Sequence, residues 1–396
     1  MQKYIIPYSL LLVALLAIVR LFFPSFEYIG ERNAAGNPHG EGVAFWHTGV
    51  KTPDMMLYDG IYKGSWNDGK REGEGEFLCH GNWYKGEWRN DDLRKGNCVI
   101  RNVEAFVGGN ATLWKSLNEQ FLTAKTADYE GFFFTLLPDG IGKIVCGSYA
   151  YDGQWSFGKR SGFGKENNAE LALFENGEKK DVNIITDKRI YGTDLSHYQP
   201  IVHWDRMYVA VDSSYTYNDT ISKQIGVIPI SFVFLKATEG KEYVDAEYAK
   251  HCDWAERFGI PHGAYHFFNQ RYATLQEQIS NFTTNVQVKK GDLPPVLDIE
   301  QFGVSTDSLL MWCDAVEKHF GVKPIVYANE KIAAIHVDRS ELKDNILWHA
   351  RYGRTPTRSF HIHQYSESGL IPAIGKHEVD LDTLSMGMTV EQLLLP

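Results

Sequence analysis

Residues 293–300 read Leu-Pro-Pro-Val-Leu-Asp-Ile-Glu, a short apolar run that ends in two carboxylates. An apolar run of this length next to prolines predicts a strand that is buried on both faces, as in a parallel sheet. Residues at i and i+2 of a strand point to the same side, so Asp298 and Glu300 should project together. Two like charges held this close oppose joint ionisation, and we expect one of the two carboxyl pKa values to be raised.

Similar apolar runs recur on both sides of this stretch and alternate with amphipathic patterns. Three of these patterns predict helices over 245–258, 273–286 and 307–320, whereas the later connections are too short for regular helices. The alternation predicts an α/β fold, either a barrel or a doubly wound sheet. The eight predicted strands are 190–194, 231–236, 263–267, 295–300, 324–328, 346–350, 361–365 and 378–381.

Polar and reactive side chains cluster at the carboxyl ends of these predicted strands. In a parallel barrel such ends share one face, where active sites are built. A protonated acid beside an anion is what acetal hydrolysis requires, although the Asp298–Glu300 pair alone also fits a solvated strand end or a metal site. The side chains at these ends are Asp194, Lys236, Thr238, Glu239, Tyr265, His266, Phe267, Asp298, Glu300, Gln364, Tyr365, Asp380 and Asp382.

An aromatic and glycine repeat precedes this region. One unit reads Tyr62-Lys-Gly64-Ser-Trp66, followed by glycines at 69, 73 and 75, and units start at 62, 84, 106, 129 and 151. Period-two alternation with glycine turns predicts β-hairpins that stack into one antiparallel sheet over 28–165. Residues 109–128 depart from the repeat and are expected to form an inserted helix or loop. The polar segment 166–189 is a linker or a capping hairpin.

The repeat resembles MORN repeats, which implies a binding or spacing role without catalysis. The ligand of this region is left open, and a simple stalk or docking sheet is an equal alternative.

The C-terminal region resembles the glycoside hydrolase family 25 lysozymes, the Chalaropsis-type muramidases. The resemblance implies an irregular (β/α) TIM-like barrel over 190–396 that needs no metal or organic cofactor. It also implies cleavage of the β-1,4 bond between N-acetylmuramic acid and N-acetylglucosamine in peptidoglycan. The matching segments, in the family's order, are 191–199, 232–240, 263–267, 293–300, 363–366 and 379–381.

The resemblance also assigns residues. Glu300 matches the proton donor, and Asp298 matches the carboxylate that either attacks C1 or steadies the substrate's acetamido group. The further groove residues are Asp194, Asp380, Tyr265, Lys236, Gln364 and Tyr352. Simpler roles stay open for some of them: Asp194 as a loop cap through Ser196, Tyr265 as core, and Asp380 as a partner of Lys236 or Arg351.

Three features depart from the family pattern. His363 stands where tryptophan is usual, which puts one stacking contact in doubt. Asp382 stands where asparagine is usual and is expected to add negative charge near the site. Residues 206–226 look like an insertion between the first two strands that reshapes the groove.

Residues 4–23 form an apolar run of about the length that spans a bilayer, which favours an uncleaved transmembrane helix over a cleaved signal. The barrel of a bacterial protein would then face the periplasm or cell surface, or be secreted if the segment is cleaved. The net charge of −10 argues against nucleic-acid binding. The predicted function is cell-wall catabolism by a membrane-anchored muramidase, with a non-catalytic wall-binding protein or a MORN scaffold as alternatives.

Overall fold

The computed structural model describes residues 25–47, 60–107 and 111–396. The predicted transmembrane segment, 4–23, lies outside these residues. Within the described ranges, no helix is both long enough and apolar enough to cross a membrane. The chain divides into two compact units, Met1–Lys179 and Lys180–Pro396, and each unit has its own hydrophobic core.

The first unit is an antiparallel sheet whose strands are hydrogen-bonded in sequence order, as the repeat predicts. Its final hairpin lies within 166–189, the segment for which a linker and a capping hairpin were both open. In the described part of this unit the strands are β1 (Ser25–Arg32), β2 (Pro38–His47), β3 (Gly60–Asn67), β4 (Lys70–Cys79), β5 (Asn82–Arg89), β6 (Asp92–Ile100), β7 (Ala127–Phe134), β8 (Leu137–Cys146), β9 (Tyr149–Ser156), β10 (Lys159–Glu166), β11 (Ala172–Glu175) and β12 (Glu178–Lys179).

A row of glycines crosses this sheet, one on each of strands β1 to β10, because the glycines pair with one another in register. Tyrosine rings lie over the row: a Cβ atom built on Gly142 would lie 2.1 Å from Tyr129 Oη. The Trp155 indole donates a hydrogen bond of 2.9 Å to the Gly142 carbonyl. The glycines of the repeat therefore leave space for tyrosine rings, in addition to forming turns. The glycines are Gly30, Gly42, Gly64, Gly75, Gly86, Gly96, Gly131, Gly142, Gly153 and Gly164.

The repeat unit predicted to start at Phe106 is wrong, because this segment is helical. Helix α1 spans Val103–Val107 and helix α2 spans Ala111–Ala124. Asn102 accepts a hydrogen bond from the Ala105 backbone N–H, as helix-capping residues do. Val103 and Phe106, three positions apart, are both buried, so an apolar helix face replaces the alternation of a strand.

The second unit is a closed eight-stranded barrel, which confirms the barrel over the doubly wound sheet. Its ring runs β13–β15–β17–β18–β19–β20–β21–β22, and β22 returns to pair with β13. Each predicted strand overlaps one of these eight. Over residues 180–396 the strands are β13 (Tyr191–Leu195), β14 (Tyr208–Val211), β15 (Gly226–Glu239), β16 (Tyr243–Val244), β17 (His262–Phe267), β18 (Val296–Ile299), β19 (Ile325–Asn329), β20 (Leu347–Ala350), β21 (Ile362–Gly369) and β22 (Val379–Leu384).

The last strand corrects one step of the sequence argument. Strand β22 is antiparallel to both β21 and β13, whereas the other neighbouring pairs of the ring are parallel. Asp380 therefore lies at the beginning of its strand and not at its end. Because the strand is reversed, its beginning still lies at the face formed by the carboxyl ends of the others.

Helices cover only part of the barrel. Helices α3 (Tyr248–Arg257), α4 (Leu275–Asn285) and α5 (Thr306–Phe320) follow β15, β17 and β18, close to their predicted bounds. After β19 comes only a short segment, α6 (Glu330–Ile332), which continues as a π-helical turn. The inserted segment 206–226 contributes β14, which pairs with the first residues of β15.

Candidate active site

The residues predicted for the site meet in one cavity of about 350 Å³ at the carboxyl-end face of the barrel. They lie in, or directly after, seven of the eight barrel strands, which come from distant parts of the sequence. This volume lies within the range of roughly 300–1,000 Å³ that is usual for small-molecule sites. The predicted residues that line the cavity are Asp194, Lys236, Tyr265, Asp298, Glu300, Tyr352, Gln364 and Asp380, which is the whole predicted set.

Asp298 and Glu300 both face this cavity but differ in burial. Asp298 lies within β18 and is buried, while Glu300 follows the strand and is open to solvent. Burial, and next the charge of Glu300, hold the pKa of Asp298 well above its usual range. Partial loss of hydration raises the pKa of Glu300, which Lys236 opposes and Glu239 reinforces. Both pKa values are therefore raised, where the spacing predicted a rise for one.

A hydrogen-bond network fixes the wall opposite this pair. Gln364 donates a hydrogen bond of 2.8 Å from its Nε2 to Asp194 Oδ2. The hydroxyls of Tyr327 and Tyr352 donate to Gln364 Oε1 at 2.8 and 2.9 Å. Both ends of the amide are thus used, so Gln364 orients Asp194. The structure provides no support for Asp194 as a cap through Ser196, whose hydroxyl oxygen accepts from the Tyr198 backbone instead.

Asp194 and Asp380 stand opposite each other on the paired strands β13 and β22. Burial, followed by the charges of Asp380 and Asp382, raises the pKa of Asp194 well above its usual range. Burial, followed by Glu367 and Glu300, raises the pKa of Asp380 to about 6. The two cationic partners considered for Asp380 are engaged elsewhere: Lys236 pairs with Glu239 at 2.8 Å and Arg351 with Glu330 at 3.2 Å.

Lys236 is the one cation among the side chains described as lining the cavity. Its ammonium group lies 5.1 Å from the centre of the Phe267 ring and bonds to Glu239. It lowers the pKa of both Asp298 and Glu300, against the effect of burial. Its position suits a role in balancing the charge of the nearby acids.

Sequence reasoning missed several lining residues. Tyr327 is an inward-facing residue of β19, on a strand with no acid that would have drawn attention to it. Glu367 lies within β21, beyond the predicted end of that strand. Trp348 also lines the cavity, and its ring stacks on that of Phe234 with 4.5 Å between the ring centres. The missed residues are Tyr198, Gln199, Tyr327 and Glu367.

The structure gives no support to the alternative that the Asp298–Glu300 pair belongs to a metal site. Across the described ranges, no group of three or more histidine, cysteine, aspartate and glutamate side chains has an arrangement that could hold a metal ion.

Comparison with known families matches both units. Residues 193–374 match the family described as glycosyl hydrolases family 25, and residues 62–82 and 151–167 match the MORN repeat. Residues 193–374 form a family 25 domain. The matched range includes Asp194, Asp298 and Glu300, while Asp380 lies just beyond it.

Curated relatives match this chain over part of their length. The uncharacterized protein YegX of Escherichia coli strain K12 is 31% identical over 153 residues, covering 37% of this chain and 51% of that protein. Lysozyme M1 of Streptomyces globisporus is 28% identical over 153 residues, which cover 36% of this chain and 46% of that protein. The chain therefore spans about half the length of these relatives. The solved structure of a family 25 glycosyl hydrolase from Bacillus anthracis is 26% identical in sequence to this chain. The match covers 51% of this chain and 91% of that chain, with a TM-score of 0.42.

Two residues that depart from the family pattern, His363 and Asp382, do not line the active-site cavity. His363 is buried, donates from Nε2 to the Arg351 carbonyl at 2.8 Å, and lines a separate cavity of about 630 Å³. Asp382 is fully buried and accepts a hydrogen bond of 2.7 Å from the Trp348 indole. Asp382 does not line the site, but its charge contributes to the raised pKa of Asp194.

Proposed function

We propose that the family 25 domain is a peptidoglycan hydrolase of the lysozyme type. It would cleave the β-1,4 bond between N-acetylmuramic acid and N-acetylglucosamine. The observation that carries this proposal is the acid pair: Asp298 and Glu300 line one cavity, and both carboxyl pKa values are raised. A carboxyl that keeps its proton near neutral pH can donate it to a leaving oxygen.

In the proposed reaction, Glu300 donates its proton to the glycosidic oxygen as the bond to C1 breaks. The bond electrons leave with that oxygen, and positive charge develops at C1 and the ring oxygen. The solvent-open position of Glu300 suits this role, because the leaving sugar and the later water must both reach it. The deprotonated Glu300 then accepts a proton from the water that completes hydrolysis.

Asp298 is proposed to act on the substrate's acetamido group. Its Oδ1 atom is buried and has no hydrogen-bond partner in the described part of the chain. Buried polar atoms are nearly always paired, so this one is suited to receive a hydrogen bond from the substrate. An acetamido N–H held there would turn the acetamido oxygen towards C1. Direct attack by Asp298 on C1 is the alternative, and trapping a glycosyl-enzyme would distinguish it.

The remaining walls suit a saccharide. Tyr265, Tyr352 and Trp348 line the cavity and present ring surface, on which the apolar faces of sugars pack. The names of two curated relatives, lysozyme M1 of Streptomyces globisporus and the autolytic lysozyme of Clostridium acetobutylicum, agree with this reading.

The test is Glu300→Gln, which keeps the shape of the side chain and removes the proton. We expect release of muropeptides from purified sacculi to fall by at least about 100-fold, the lower end of what a positioned acid contributes. Glu317→Gln, on the exposed face of α5, is the matched control and should leave release unchanged. The products of the unmodified protein should carry muramic acid at their reducing ends.

Release at the unmodified rate by the Glu300 variant would contradict the proposal. If the unmodified protein binds sacculi but releases nothing, the wall-binding alternative takes its place.

We further propose that residues 4–23 anchor the protein in the membrane, with the barrel on the extracytoplasmic side. The full chain should then stay with membranes after alkaline washing, whereas a chain that starts at residue 25 should not. Recovery of the full chain in the soluble fraction would contradict the anchor. Sequencing the N-terminus of the secreted protein would reveal cleavage.

A further inference from the structure

We propose that Thr238 is a positioning residue for the proposed reaction. Its hydroxyl, bonded to His266, holds a β-bulge that places Glu239 beside Lys236, next to the acid pair. This role rests on the proposed function and deepens it, because it names a residue that acts on the site through others. Thr238 itself is fully buried and is not among the residues that line the active-site cavity.

The bulge lies near the end of β15, where this strand runs parallel to β17. Lys236 is opposite Tyr265 in this ladder, and the next pair joins Thr238 to His266. Ala237 is thus the extra residue of a β-bulge, in which two residues of one strand oppose one of its neighbour. Bulges re-aim side chains and are frequent next to active sites.

The bulge decides which face Glu239 is on. Successive residues of a regular strand point to opposite faces, so two residues three positions apart would not share one. Lys236 lies opposite Tyr265 in the ladder. Glu239 lies opposite Phe267, and both of these rings line the cavity. The extra residue has therefore returned Glu239 to the face of Lys236, whose ammonium donates to its carboxylate at 2.8 Å.

The hydrogen bond between Thr238 and His266 has a fixed direction. Thr238 Oγ1 and His266 Nδ1 are 2.7 Å apart. On α4, Gln278 Oε1 accepts a bond of 2.7 Å from the Asn269 backbone and lies 3.1 Å from His266 Nε2, which must therefore carry a hydrogen. Burial lowers the pKa of His266 to about 4, so the ring is neutral near pH 7 and Nδ1 is an acceptor. The Thr238 hydroxyl is the donor.

The imidazole is held in turn by the helices outside the barrel. His266 is fully buried, and its ring stacks on that of Trp312 of α5 with 5.6 Å between the ring centres. Asn269, whose backbone bonds to Gln278, also donates from Nδ2 to Glu239 Oε1 at 3.3 Å. The strand register beyond the bulge is therefore tied to the helical layer.

Thr238→Val keeps the branched shape and removes the hydroxyl, so His266 Nδ1 is left buried without a donor. This cost falls on the bulged arrangement, because there residue 238 lies opposite His266. Other arrangements of the strand end then gain population, and in them Glu239 leaves Lys236. Glu300 loses the anion that raises its pKa and keeps the cation that lowers it, so its pKa should fall.

The other charged or titratable side chains next to Glu300 do not belong to the bulged strand. A change that follows substitution of Thr238 is therefore attributable to Lys236 and Glu239. These other side chains are Asp298 on β18, Tyr327 on β19, Asp380 on β22 and Arg271 after β17.

The test measures kcat/KM of the full chain on a soluble murein fragment across pH. Thr238→Val should move the alkaline limb to lower pH by about 0.2–0.7 unit, the range that exposed charge pairs give. Thr238→Ser keeps the hydroxyl and should leave the limb in place. Thr306→Val is the matched control, because Thr306 Oγ1 lies 2.7 Å from His336 Nδ1 and removes an equivalent bond elsewhere in the barrel unit. It should lose thermal stability without moving the limb.

A double variant tests the route. In a Glu239→Gln background, Thr238→Val should add no further shift, because the charge that the bulge positions is already gone. A full shift in that background would overturn the proposal. So would an unmoved limb in Thr238→Val, or an equal shift in Thr238→Ser or Thr306→Val. Thr238→Ala removes the same hydroxyl and takes the place of the valine variant if the latter does not melt cooperatively.

A second readout does not need turnover. The NMR chemical shift of the Glu300 carboxyl carbon reports its titration directly, and its pKa should fall in Thr238→Val but not in Thr238→Ser. Failure of the unmodified protein to release muropeptides would overturn the proposed function. This titration would still decide whether Thr238 acts on Glu300.

Discussion

At the scale of single residues, the site is a set of carboxyl groups whose burial is compensated by few opposite charges. Asp194, Asp298 and Asp382 are buried, and burial is the largest cause of the raised pKa of each. Lys236 and Glu239 lie next to this set and act on Glu300 with opposite signs. The protonation of the proposed acid is therefore adjustable from two neighbouring positions.

Substitution of Lys236 and of Glu239 should shift the pH profile in opposite directions. Turnover requires Glu300 to be protonated, so activity falls as pH rises through its pKa. Lys236 lowers that pKa, so Lys236→Met should move the alkaline limb of kcat/KM to higher pH. Glu239 raises it, so Glu239→Gln should move the limb to lower pH. Lys250→Met, at an exposed pair on α3, should move neither limb.

Shifts of the same sign for both variants would contradict this assignment of causes.

Asp382→Asn should stabilise the barrel, and more so at higher pH. The folded pKa is raised well above the usual value, so the folded state holds a proton that the unfolded state releases, and stability is lost as pH rises. Asparagine keeps an acceptor for the Trp348 indole. We expect a gain of about 1–3 kcal/mol at pH 8, or about 2–4 °C in Tm for each kcal/mol.

At pH 3.5 the gain should be small, because both states are then protonated. Asp219→Asn, at an exposed acid of the same unit, serves as the control for the thermal melts. A gain that does not depend on pH would show that ionisation is not its cause.

At the scale of elements, the strands of both units follow from local pattern, and their exceptions follow from packing. Short apolar runs located all eight barrel strands, because a strand buried on both faces needs no polar alternation. The direction of β22 was not predictable, since it depends on which neighbours the strand meets. The helix at Phe106 was missed because its aromatic residue falls at the period of the repeat.

The candidate site was predictable to the same extent. The eight residues assigned to the site all line the cavity, because strand ends converge in a barrel. Other residues noted at strand ends are not among its lining residues: Thr238, Glu239, His266, Tyr365 and Asp382. The part played by Tyr327 depends on side-chain direction, which the order of residues does not reveal. The catalytic roles themselves stay predictions until the variants are measured.

The glycine row predicts a strong effect of one methyl group. Gly142→Ala would place a Cβ atom 2.1 Å from Tyr129 Oη, within the buried layer of the sheet. We expect a loss of about 1–3 kcal/mol in the free energy of unfolding of the first unit, as for an overpacked core. Gly36→Ala has open space around it and only its positive φ to oppose the change, so it should cost at most about 1 kcal/mol.

Urea unfolding followed by the tryptophan fluorescence of the first unit would measure both. Equal losses for the two variants would mean that the tyrosine ring does not confine the glycine.

At the scale of the whole molecule, the chain consists of two units with separate cores, and the candidate active site lies in one of them. All residues proposed to act on the glycan lie in Lys180–Pro396, and the closed barrel is complete within that range. The residues that line the cavity all belong to this range. Spacing, or the binding of another ligand, stays a prediction for the repeat sheet.

The fragment 180–396 should retain turnover on soluble muropeptides within about twofold, since independent units add their contributions. Binding to whole sacculi and the location in the cell should change instead. A loss of turnover of tenfold or more in a fragment that still melts cooperatively would mean that the repeat region takes part in the reaction.

Closure of the barrel by β22 has a consequence for the timing of synthesis. The Thr193 hydroxyl donates a hydrogen bond to the backbone carbonyl of Asp380, 187 positions later. The first and last strands of the barrel, β13 and β22, can therefore pair only when nearly all of this unit has left the ribosome. Contacts so distant along the chain form late in folding. A nascent or truncated polypeptide thus has its acid pair but lacks the closed barrel that forms the cavity. It should not hydrolyse peptidoglycan until translation has passed Leu384.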